Sequence, residues 1–153
     1  MKRIRNSAKA IIVRDGCLLA THNVDEYDDW YLLPGGGQEF GETLGEAVLR
    51  ECQEELGATV QVGRLRAVRE YIGGNHEFAE TDGDTHQVEF MFECTVDETY
   101  EPRNGRVTDT YQVGVVWLPL SSLDDFTFYP ATLKAFLASD DAGASITYWG
   151  DVN

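Results

Sequence analysis

Glu51, Glu54 and Glu55 stand within five positions of one another, shortly after Gly35-Gly36-Gly37, in a stretch with six glutamates between residues 35 and 57. On a helix at about 100° per residue, with Glu51 at 0°, Glu54 falls near 300° and Glu55 near 40°. The three carboxylates therefore share one arc of roughly 100°. Val48, Leu49, Cys52 and Leu56 fall between about 60° and 160° and form an adjoining apolar face. Like charges at i+3 and i+4 each cost a helix roughly 0.2–0.5 kcal/mol, and half-burying them costs more. A hard divalent cation relieves both costs, because Mg²⁺ takes carboxylate oxygens together with substrate phosphates and waters. A solvated acidic face would show the same spacing, and helix geometry alone leaves both readings open. The glycines favour the metal reading, since they permit positive φ and close backbone approach to an anion or metal.

The elements that must position these groups can be read around them. Thr43 to Leu56 reads as a helix: Thr43-Leu44-Gly45-Glu46 fits a capping box, and Gly57 fits the left-handed residue that ends it. Before it, Ser7 to Val13 and Cys17 to Thr21 read as strands joined by an Asp15-Gly16 hairpin turn. Trp30 to Leu33 reads as a short strand that Pro34 ends. After the helix come a long strand from Val60 to Tyr71, a polar loop from Gly73 to Asp84, and a second long strand from Val88 to Val96. The last of these is bulky on both parities and so central. A turn-rich excursion leads to a strand from Gln112 to Leu118. A C-terminal helix follows from Pro130 to Ala138, and Ser145 to Trp149 could add an edge strand. Strands outnumber helices, which predicts an α+β or mixed α/β sandwich in one domain, residues 1–153, with the two helices on opposite faces of the sheet.

The spacing around the glutamates resembles the signature of the Nudix hydrolases, G-x5-E-x7-R-E-U-x-E-E-x-G-U, where U is apolar. Here it reads Gly36, five residues, Glu42, seven residues, then Arg50-Glu51-Cys52-Gln53-Glu54-Glu55-Leu56-Gly57-Ala58. Every fixed position matches. The two U positions are small, Cys52 and Ala58, a departure that bears on packing more than on chemistry. Leu33-Pro34-Gly35-Gly36-Gly37 also looks like the family's lead-in. The resemblance implies an α/β/α sandwich with a mixed central β-sheet. It implies hydrolysis of nucleoside diphosphates linked to another group, with Mg²⁺ or Mn²⁺. By carry-over Glu51, Glu54 and Glu55 would bind metal, with the Gly35 carbonyl as a further ligand. Glu51 or Glu54 would serve as base for the attacking water, although some members use a glutamate outside the signature. Glu42 and Arg50 would pair and orient the loop, so Gly36, Glu42, Arg50 and Gly57 are structural. The resemblance also admits a homodimer.

Outside the signature, Glu70, Glu77, Glu80, Asp82, Asp84, Glu89 and Glu93 are candidates for an extra carboxylate, with Glu89 first because it sits early in the central strand. His76 and His86 flank a loop that could overhang the site. Arg14, Arg66 and Arg69 are candidate phosphate contacts. Trp30, Tyr31, Phe128 and Tyr129 could stack on a base, and Asp124 and Asp125 could accept from its edge. For each, an ordinary surface or core role competes. ADP-ribose hydrolases often carry a proline about sixteen residues past the signature, and none occurs between Gly63 and Glu101. Tyr71 is too close to the signature to match the dinucleoside polyphosphate pattern. The NADH-type and coenzyme A motifs are absent. A (d)NTP or modified nucleotide is favoured by exclusion. The competing readings are a Nudix-fold sensor that binds without cleaving, an ADP-ribose or nucleotide-sugar pyrophosphatase, and a Ca²⁺-binding domain. The Thr81-Asp82-Gly83-Asp84 turn lacks the EF-hand spacing the last would need.

The formal net charge of −15 argues against long nucleic acid, whose affinity comes from Lys and Arg. A small phosphorylated ligand remains compatible if a metal lies between. No apolar run reaches the 18 or so residues that span a bilayer, and Ala10 to Val13 is too short for a signal-peptide core. Cys17, Cys52 and Cys94 have no metal-site spacing and read as free thiols of a reducing cytoplasm.

Overall fold

The computed structural model describes residues 1–139 and 145–153. Strand β1 (Ile4–Arg14) organises the fold. One of its edges pairs in parallel with β6 (His86–Thr95) from Ile4 to Ile12. Its other edge is shared: Ser7 to Lys9 pair with β4 (Gly35–Gly37), and Val13 and Arg14 with β2 (Cys17–Val24). The Asp15-Gly16 turn between β1 and β2 has positive φ at both residues, 52° and 74°. This is the conformation that matches a two-residue hairpin to the strand twist.

The sheet runs β8 (Phe128–Tyr129), β3 (Asp29–Leu32), β2, β1, β6, β5 (Gln61–Ile72), β9 (Thr147–Asp151), with β7 (Gln112–Pro119) on β2. Parallel and antiparallel pairs are mixed within it. The glycine triplet, which the sequence places between a strand end and the helix, is itself a strand against β1, because without side chains its backbone can lie flat on the neighbour. The short strand β8 also escapes sequence reading; it forms by pairing with β3. The segment Gly73 to Asp84 reads as a polar loop but contains a 3₁₀ turn (Gly73–Asn75) and a one-turn helix α2 (Ala79–Asp82).

Helix α1 (Leu44–Leu56) begins at Thr43, whose hydroxyl accepts from Glu46 N at 3.2 Å while Glu46 accepts from Thr43 N at 2.7 Å. It ends at Gly57 with φ 60°, whose N–H bonds Gln53 O. Ala47, Val48, Cys52 and Leu56 pack on Ala8, Ala10 and Ile12 of β1. Leu49, which the helical wheel assigns to the apolar face, is exposed, while Ala47, about 160° away on the same wheel, is buried, so the buried arc takes in Glu55 rather than stopping beside it. A second core joins Ile11, Leu18, Met91, Leu118 and Phe128 to Leu133 of α3 (Thr132–Ala138). The three cysteines are free. Among the described residues no helix is long and apolar enough to cross a membrane.

Candidate functional site

The site is built where β4 meets α1. Gly35 must be glycine for reasons of space, and Gly36 and Gly37 leave room for side chains that reach over them. A Cβ on Gly35 would lie 2.2 Å from Ala8 O, on Gly36 2.6 Å from the Glu51 carboxylate, and on Gly37 2.5 Å from the Arg5 guanidinium. Gly35 also has φ 134°. Gly36 thus leaves room for the Glu51 carboxylate to lie directly on the strand backbone.

Arg50 ties this loop to the helix. It donates to both oxygens of Glu42 at 3.1 and 2.8 Å, to Gly37 O at 2.9 Å, and to Glu51 at 3.0 Å, with Glu54 at 3.5 Å. These bonds hold the Glu42 carboxyl below its usual range, the Arg50 bond first, and raise Arg50 above its own. The forked guanidinium makes all of these contacts from one plane, which an ammonium cannot.

Glu55 is the most enclosed of the three glutamates, 3% exposed. One of its oxygens accepts from Gly35 N at 3.1 Å. Burial pushes its pKa up to about 8; the charges of Asp109 and Glu51 add to this, and Lys9 and the Gly35 N–H oppose it. Glu51 is also raised, chiefly by burial, against the pull of Arg50. Lys9 donates to Gly35 O at 3.0 Å and Leu33 O at 3.4 Å.

The C-terminal end of α1 is clasped by the segment between β6 and β7 and by the first residue of β7. Gly105 N donates to Glu55 O at 2.8 Å, Val107 N to Glu54 O at 3.0 Å, and Gln112 Nε2 to Glu55 O at 3.0 Å. The backbone carbonyls of two signature glutamates are therefore fixed from outside the helix. Gln112 Oε1 is buried without a partner among the described residues. A surface groove of about 560 Å³ adjoins the clasp, lined by Glu54, Arg103 and Arg106.

Among the described residues, no three acidic, His or Cys side chains are grouped closely enough to hold an ion as they stand. Glu51 and Glu54 face Arg50, Glu55 faces the Gly35 amide, and the Gly35 carbonyl faces Lys9. The donor set nonetheless suits a hard cation. All candidate ligands are oxygens, and the buried Glu55 is costly to charge without one.

Of the other candidates, Glu89 lies nearest, across β1 from Gly37 through Ser7. Glu89 is buried and bonded to Arg69 at 2.5 Å, and Arg69 also holds Val152 O at 2.6 Å. Arg14 is bonded to the carbonyls of Asp97, Glu98 and Tyr100 and lies over Trp117, 4.5 Å from the ring centroid. It stands five residues, roughly 16 Å of strand, beyond Lys9. Phe128 is core, 2% exposed. Trp30 packs on Tyr111, Tyr31 on His22, and Tyr129 on Phe78 of the 73–85 segment. His76 pairs with Asp151, His86 with Glu70, and Arg66 with Glu93. Asp124 and Asp125 are exposed. Sequence reasoning missed Lys9, Asp109 and Gln112. Lys9 carried a signal, a cation between alanines in an otherwise apolar run. The other two carried none, because the fold alone brings residues 103–112 to α1.

A family profile described as NUDIX domain matches residues 3–138. The chain belongs to the Nudix family. A nucleoside triphosphatase, NudI, of Enterobacter sp. (strain 638) is 31% identical over 69% of this chain and 73% of its own length. An uncharacterized Nudix hydrolase, YvcI, of Bacillus subtilis (strain 168) is 27% identical over 66% of this chain, which spans 58% of that relative. A solved Nudix hydrolase structure from Nitrosomonas europaea superposes with a TM-score of 0.73 at 20% identity, covering 94% of this chain and 93% of the other. The Nudix signature thus sits in a Nudix fold.

Proposed function

We propose that this Nudix hydrolase cleaves a phosphoanhydride bond of a nucleoside diphosphate linked to another group, a (d)NTP or modified nucleotide in the first instance, with Mg²⁺ or Mn²⁺. The observation that carries the reading is the buried Glu55 beside Glu51 and Glu54, on a helix locked to a glycine strand. Glu51, Glu54, Glu55 and the Gly35 carbonyl would hold the ion. When bound, a divalent cation neutralises phosphate oxygens and makes water more acidic. Glu54 or Glu51 would take the proton as the water oxygen attacks phosphorus and the bridging P–O bond breaks. Arg50, Glu42, Gly36 and Gly57 act by position. The similarity to a nucleoside triphosphatase supports the (d)NTP class. The partner is a small nucleotide, and the setting is the cytoplasm.

The test is a panel of canonical and oxidised (d)NTPs, ADP-ribose, diadenosine polyphosphates, NADH and nucleotide sugars, with Mg²⁺ and products resolved by chromatography. Cleavage of (d)NTPs is expected. Turnover confined to ADP-ribose or nucleotide sugars would move the substrate class. Tight nucleotide binding without turnover would make this a sensor.

A further inference from the structure

A cation already caps the Gly35 carbonyl. Lys9 is one of three lysines in a chain of net charge −15. It lies in β1 opposite Gly35, and its ammonium caps the Gly35 carbonyl at 3.0 Å and Leu33 O at 3.4 Å. Its charge acts on both Glu51 and Glu55. Lys9 also packs against the strand itself, since a Cβ on Gly35 would meet its Cα at 2.7 Å and its Cδ at 2.9 Å. A divalent ion bound by Gly35 O, Glu51 and Glu55 would have to share that oxygen with a positive charge a few ångströms away.

We infer that Lys9 is a resident counter-ion that competes with the metal for the Gly35 carbonyl and, once displaced, holds a phosphate oxygen of the substrate. It is a substrate-binding residue that couples metal binding to substrate binding. Without substrate, ion and ammonium repel across the same oxygen. With substrate, the displaced ammonium finds an anionic partner. The inference rests on the metal-cradle reading of the site.

The experiment measures Mn²⁺ binding by electron paramagnetic resonance without nucleotide, in wild type and Lys9→Met. A unit charge near a divalent ion in a solvent-accessible site is worth roughly tenfold in affinity. Lys9→Met should therefore bind Mn²⁺ about tenfold more tightly, while its KM for nucleotide at saturating Mg²⁺ rises about tenfold. Lys9→Arg, which keeps the charge, should stay close to wild type in Mn²⁺ affinity. A purely structural role would weaken Mn²⁺ binding in Lys9→Met instead. If that variant does not fold, wild type alone serves. Amine-reactive labelling of Lys9, with Lys2 and Lys134 as internal references, should rise on adding Mn²⁺. Mn²⁺ binding that is unchanged or weaker in Lys9→Met, or labelling unaffected by Mn²⁺, overturns the inference. No Mn²⁺ binding in wild type overturns the cradle itself.

Discussion

Arg50 grips both oxygens of Glu42, at 3.1 and 2.8 Å, across eight residues of chain, and reaches Gly37 O with the same guanidinium at 2.9 Å. The glycine strand, the turn after it and the helix are thus pinned by one side chain that also touches Glu51. Arg50→Lys keeps the charge and loses the fork. Changes of this kind to groups that orient metal ligands cost about 10–100-fold in metal affinity or activity. We expect a kcat loss in that range with melting temperature little changed, checked by steady-state kinetics beside thermal unfolding.

The raised pKa of Glu55 sets a pH dependence for the metal-free protein. Its folded-state value is about 8, against about 4.5 for the free group. Between these values the folded state binds more protons than the unfolded one. Stability therefore falls as pH rises through that window and levels off above it. Glu55→Gln removes the titration. In EDTA, urea denaturation should find the variant more stable than wild type at pH 8, by on the order of 1–3 kcal/mol, with a flatter profile from pH 5 to 8. Saturating Mg²⁺ should stabilise wild type and leave the variant nearly unmoved.

Gly105 has no room for a side chain. A Cβ there would lie 2.0 Å from Glu54 O and 2.8 Å from Gly57 N, both backbone atoms that cannot swing away. Gly105→Ala should destabilise by about 3 kcal/mol and open the clasp on α1. Urea denaturation gives the first effect. A lowered kcat under conditions where the variant is folded gives the second.

Glu89 and Arg69 form a pair buried to 3% and 6% exposure. Removing one partner strands the other charge at a cost of about 3–5 kcal/mol. Arg69→Met should show that loss. Glu89→Gln should also lower stability while leaving Mn²⁺ affinity within about twofold, as expected of a carboxylate committed to arginine. A large loss of Mn²⁺ affinity would instead make Glu89 a metal ligand.

The helix and its glutamates were legible because capping, periodicity and spacing are local. Thr43, Glu46 and Gly57 fix the ends of α1, and Glu51, Glu54 and Glu55 follow by geometry. The strand character of Gly35 to Gly37 was not legible, since three glycines have no pattern and the pairing with Ser7 to Lys9 is tertiary. The remote contacts were hidden for the same reason. Arg14 and Arg69 look like scarce cations free for phosphate, but one caps carbonyls at residues 97–100 and the other neutralises Glu89. Phe128 looks like a stacking aromatic and is core, because pairing with β3 turns it inward. The clasp of residues 105–112 on α1 spans about fifty residues of chain, a separation at which no local pattern survives.

The metal cradle is tested most directly by hydrolysis of a (d)NTP by wild type, Glu54→Gln and Glu55→Gln across a Mg²⁺ titration, with circular dichroism as the folding control. Metal-dependent turnover by wild type is expected, with a loss of at least about 100-fold in both folded variants. Full activity in either variant, or wild-type turnover that persists in EDTA, would contradict it.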